Sequence, residues 1–140
     1  MSAPEAIEDP ELDTVAWDLS TLLEGAGDGD PGAAVDAMLA QAQERADTLA
    51  EAHAGRVAEL DGAGLVGFMT ALAEIEELAG RAGSFAMLEF SENTADPARG
   101  ALLQRVQERG TAIETALLFF ELEWAALDDD RAEELLAAEG

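Results

Sequence analysis

The chain has 140 residues, with 31 Asp and Glu against 7 basic residues, for a net charge of -24. That length suits one domain that buries a core without staples. The absence of cysteine excludes disulfides, zinc-thiolate sites and cysteine nucleophiles.

All seven basic residues are arginine, and Lys and Tyr are absent. Direct nucleic-acid binding needs a basic footprint, so the chain argues against it. Two causes of the acidity compete. One is an acidic ligand surface, such as a nucleic-acid mimic or a partner for basic proteins. The other is adaptation to molar salt, and it accounts for more. Self-repulsion at this charge opposes a compact state. At molar ionic strength the Debye length is only about 3 Å, so the repulsion is largely screened. The acids are spread along the whole chain, as a global cause requires.

Residues 1–14 are acidic, carry two prolines and form no apolar run, so they read as a disordered N-terminus without a secretory signal. No stretch approaches the roughly 18 apolar residues of a membrane span, and the expected location is the cytoplasm. Residues 15–140 read as one helical domain. Val15 to Glu24 hold an apolar cluster, with Asp18 or Ser20 placed to cap a short turn. Residues 25–30 are a Gly- and Asp-rich turn. The first helix starts with Asp30 as N-cap and Pro31 at the first position, and runs to about Ala54 before Gly55. Val35, Met38, Leu39, Ala42, Ala46, Leu49 and His53 share one face. Residues 56–64 read as a loop or a frayed entry.

The second helix runs from about Gly64 to about Ser91. Its seam is Leu65, Phe68, Leu72, Ile75, Ala79, Ala82 and Ala86, spaced three and four apart, with Phe90 closing it. The Ala79–Gly80 and Ala82–Gly83 pairs predict close approach of a neighbouring helix. Asp96 and Pro97 repeat the Asp-Pro start, and the third helix continues to about Leu127. Its seam is Leu103, Val106, Gly110, Ile113, Leu117, Phe120, Trp124 and Leu127. One of Asp128, Asp129 and Asp130 then caps a tail helix, Arg131 to Ala138. The expected fold is all-α: an antiparallel bundle of three main helices, two of them long, plus a short C-terminal helix. No alternating apolar run predicts a strand.

Chemistry is sparse. A helical zinc site needs two His at i and i+4, and His53 is alone. It reads as a packing or capping residue. Glu74, Glu76, Glu77, Glu121 and Glu123 read as solvated carboxylates, because adjacent acids are expected at this composition. Asp128 to Asp130 lack the glycine and bidentate Glu of a calcium loop. Ser84 and Ser91 have no plausible base beyond His53, which lies on another helix. Gly25 to Gly32 lacks the Lys-Ser/Thr ending of a phosphate loop. No catalytic, cofactor-binding or metal residue is assigned. Most aromatic residues fall on the seams and read as core. Phe85 and Phe119 lie off them and mark a candidate docking face for a domain or a second subunit.

Three segments share an order. Trp17-Asp18-Leu19-Ser20-Thr21-Leu22 resembles the opening of the oligoendopeptidase F family of zinc metallopeptidases. Phe85-Ala86-Met87-Leu88-Glu89-Phe90-Ser91-Glu92-Asn93-Thr94 resembles the end of that family's long helix, and Leu118-Phe119-Phe120-Glu121-Leu122-Glu123 resembles its Phe-Phe-x-x-Glu stretch. The likeness spans residues 15–135. It implies a non-catalytic N-terminal helical region that helps to form an oligopeptide channel, truncated before the catalytic domain. The family's zinc and its His-Glu-x-x-His belong to that domain and to none of these residues. The implied partners are that catalytic domain, or a second copy, with oligopeptides bound by the whole enzyme. The alternative is a stand-alone acidic helical interaction module from a halophile.

The charge argument predicts that helical circular dichroism rises as KCl goes from near zero to molar. Full helicity in dilute buffer contradicts salt adaptation.

Overall fold

The computed structural model describes residues 18–26 and 29–137. The disordered segment expected over 1–14, Trp17 of the apolar anchor, and Ala138 of the tail helix lie outside these residues. Among the described residues there are four α-helices and no strand: α1 Pro31–His53, α2 Gly62–Glu92, α3 Pro97–Ala125 and α4 Asp129–Ala137. Short 3-10 turns at Ser20–Leu23 and Val57–Glu59 complete the order. No described helix is long and apolar enough to cross a membrane.

Both Asp-Pro starts work as read. The Asp30 carboxylate accepts from the Ala33 N–H at 3.1 Å, and the Asp96 carboxylate from the Ala98 N–H at 2.9 Å. Each relieves a backbone donor that the first helical turn leaves unpaired. α1 stops at Gly55, whose φ of +78° is open to glycine at little cost. α2 begins two residues earlier than expected. Asp61 caps it, accepting from the Gly64 N–H at 2.7 Å. Gly62, Gly64 and Gly67 lower the propensity of this start, and the cap offsets that. α3 ends at Ala125 rather than near Leu127, and Asp128 caps α4 through the Arg131 N–H at 2.8 Å.

Contacts fix the directions. His53, at the end of α1, meets Phe68 near the start of α2. Phe68 meets Phe119 and Phe120 near the end of α3. Asp36 near the start of α1 pairs with Arg105 near the start of α3. So α2 runs antiparallel to both, and α1 and α3 run parallel. The core uses the predicted α1 face, with Val35, Leu39, Ala42 and Ala46 wholly buried. Phe68 and Ile75 of α2 are 1% exposed.

Three expectations are corrected. Phe85 is 4% exposed and belongs to the core, so it is no docking residue. α2 packs on both α1 and the 20–23 turn, and therefore buries two adjacent stripes, Phe85 beside Ala86. On α3, Leu102 is buried and Leu103 only half-buried. Of residues 56–64, read as a loop or a frayed entry, 56–61 form a packed strut around the Val57–Glu59 turn and 62–64 already belong to α2. Val57 and Leu60, three apart, point inward and join Leu65 and Leu135 in a second cluster.

Arginines tie the short segments down. Arg81 donates to the carbonyls of Leu22 and Glu24 and so holds the 20–23 turn on α2. Arg131 donates to the carbonyls of Ala58 and Leu60 and fixes α4 to the strut. Asp18 caps the 20–23 turn. The Ser20 hydroxyl, and then the Ser20 N–H, hold its carboxyl below the usual carboxylate range. A depressed folded-state value means that this contribution is present above the ordinary carboxylate pKa. It is lost as pH falls through the folded one.

Phe68→Ala removes a wholly buried ring and is expected to cost about 3–5 kcal/mol. Leu122, 63% exposed, is the control, and its replacement by Ala should change stability by less than about 0.5 kcal/mol. Thermal unfolding of the two variants at one fixed KCl concentration checks both values.

Candidate functional site

No group of three His, Cys, Asp or Glu among the described residues is placed to hold a metal ion. His53 is half-exposed, its ring edge-on to Phe68 with centroids 5.3 Å apart. Zinc as a resident cofactor does not fit these residues, and no step is derived through it. No polar or charged side chain is buried among the described residues. Glu74 pairs with Arg45 at 3.2 Å and Glu77 with Arg81 at 3.9 Å. Ser91 donates its hydroxyl to the Met87 carbonyl of its own helix. The structure brings none of these together as a reacting set.

Glu123 has a different role from the solvated one expected of it. Its two carboxylate oxygens accept from the Gly55 N–H at 2.9 Å and the Val57 N–H at 3.3 Å. One side chain of α3 thereby closes the end of α1 and anchors the strut. In sequence it is one acid among many. Only its place in the Phe-Phe-x-x-Glu stretch sets it apart.

Phe119 is half-buried. It lies edge-on to Phe68, with centroids 6.1 Å apart, and touches both apolar clusters. Phe85 and Phe119 therefore do not form a common outer face.

One of the grooves that the bundle leaves open lies between α2 and α3. Its floor is Leu72, Ile75 and Ala79 from α2 with Val106, Ile113 and Leu117 from α3, and it encloses about 740 Å³. Phe120 contributes to one end, its ring stacked on Phe68 at 4.4 Å. The small residues expected to let helices touch do something else here. A Cβ on Gly83 would meet Val106 at 4.0 Å, whereas a Cβ on Gly80 or Gly110 would meet nothing within 4 Å. The two open glycines line the groove. Leu118 is 46% exposed and, with Leu122, forms an apolar shoulder on the α3 side. Glu76, Glu114 and Glu121 stand at the rim. Such a surface can hold an apolar ligand face between carboxylates.

Glu123→Ala leaves two backbone donors to water and is expected to cost about 1–2 kcal/mol. The loss should be local: amide hydrogen exchange should speed up at Gly55 and Val57 before it does in α2. Unchanged exchange at both amides would contradict the assignment.

Comparison of the chain with protein-family models, curated proteins and solved structures gives no match.

Proposed function

We propose that this chain is a non-catalytic helical domain of the oligoendopeptidase F kind. It would serve as a wall of an oligopeptide channel and be adapted to high salt. One observation supports the reading: several of the residues that bear the likeness also help to hold the bundle together. The Asp18 carboxylate accepts from the Ser20 N–H and hydroxyl at the first turn, and Leu19 packs on the core. Phe85 and Ala86 are buried, and Asn93 and Asp96 shape the turn into α3. Phe119 and Phe120 pack on Phe68, and Glu123 closes α1. Catalysis would belong to a zinc domain outside these residues, with this chain shaping access to it.

The stand-alone interaction module is the second reading. It is favoured by the open groove, which offers an apolar surface to a partner.

Two assays test the first reading. The chain alone, supplied with zinc at molar KCl, should not hydrolyse a quenched-fluorescent oligopeptide; turnover would overturn the non-catalytic assignment. Fused ahead of an oligoendopeptidase zinc domain stripped of its own N-terminal helices, the chain should restore cleavage of that peptide. A fusion that is folded and zinc-loaded yet inactive would favour the interaction module.

A further inference from the structure

We infer that the α2–α3 groove is a docking site for an amphipathic partner helix whose apolar face is flanked by lysine or arginine. The inference rests on the groove and its rim alone and does not need the peptidase reading.

Shape comes first. The α2 wall runs from Leu72 to Gly80 and the α3 wall from Val106 to Glu121. At 1.5 Å per residue these are about 12 Å and 22 Å, the length of two to four helical turns. What a partner can touch is half-buried Leu72, Ala79 and Leu117, over a base of Ile75, Val106 and Ile113 that the bundle itself already buries, and this apolar lining suits helix-in-groove recognition. Gly80 and Gly110 face open space, so an incoming helix can approach the backbone itself. Leu118 and Leu122, 46% and 63% exposed, extend the apolar surface along one edge.

Charge selects the occupant. Six of the seven arginines pair with carboxylates away from the groove. On α2, Glu74 and Glu77 are paired, while Glu76 at the groove has no ion-pair partner among the described residues. On α3, Arg105 and Arg109 both turn to Asp36 of α1. Glu114 and Glu121 are likewise left without a cation. An apolar trough between unpaired acids is complementary to an apolar stripe between bases.

The same charge disfavours the other candidates. A second copy brings a further net charge of -24. The segment 1–17 of this chain brings Glu5, Glu8, Asp9, Glu11 and Asp13 with no base.

The test uses two labelled peptides of about 15 residues, each with Leu at helical spacing, one flanked by Lys and one by Glu. Binding is read by fluorescence anisotropy, at the lowest KCl at which the helical signal of the protein is complete. The Lys peptide should bind at least about tenfold tighter than the Glu peptide. Gly110→Leu and Gly80→Leu fill the trough from helix positions where Leu is the better former. Each should weaken binding by about tenfold or more. The surface triple variant E76K/E114K/E121K should invert the preference between the peptides. Three results would overturn the inference. One is equal affinity for both peptides, or none for either. Another is Lys-peptide binding that the filled variants leave unchanged, which reports bulk charge only. The third is a concentration-dependent dimer that Gly110→Leu abolishes, which makes a second copy the occupant.

Discussion

The ring of Phe68 lies where α1, α2 and α3 meet. His53 and Phe119 present their rings edge-on to it, and Phe120 stacks on its face. Such geometries add to what burial alone supplies, because ring edges and faces carry opposite partial charge. Phe119 and Phe120 also touch the second cluster, around Val57, Leu60, Leu65 and Leu135. The strut and α4 therefore depend on the same rings as the main core. Toward the other end of the bundle, Ala82 and Ala86 of α2 are buried beside Val35, Met38, Phe85 and Leu102.

Around that core the charge works against compaction, and the few cations are used where they do most. Arg81 and Arg131 each hold carbonyls of a short segment that has little apolar surface to hold itself. Arg105 and Arg109 share Asp36 and tie α3 to α1. Arg99 gathers Glu89, Glu92 and Asp96 at the turn into α3, where acids from two helices would otherwise repel. A guanidinium serves this better than an ammonium, since its planar fork reaches several acceptors at once. The α2–α3 groove receives no such cation. Apolar lining and acids without an ion-pair partner among the described residues occur together there.

Much of this was legible locally. Asp30-Pro31 and Asp96-Pro97 announce their helices because cap and first residue are adjacent in sequence. The α1 face is simple, as Val35, Met38, Leu39, Ala42, Ala46 and Leu49 meet one core. Misreadings arose where one helix serves two neighbours or where a segment is short. Phe85 falls off the seam because α2 packs on two elements. Val57 and Leu60 make an apolar pair too brief to show a period. Asp61 was hidden by the glycines that follow it. Along α3 the heptad is real, yet Leu117, Phe120 and Trp124 stay half-exposed. A seam states that a surface is apolar and does not state that a neighbour fills it. Glu123 could not be told from its many acidic neighbours, because its role depends on the end of a helix 68 positions away in sequence.

The proposed reading makes these residues a helical scaffold and puts the reacting centre outside them. The most direct measurement is to read the coding sequence on the 3′ side of the Gly140 codon. The account predicts a His-Glu-x-x-His helix there, in frame or beyond a frameshift, with a further Glu downstream. A coding region with no such helix would contradict the peptidase reading and leave the groove as the chain's own function.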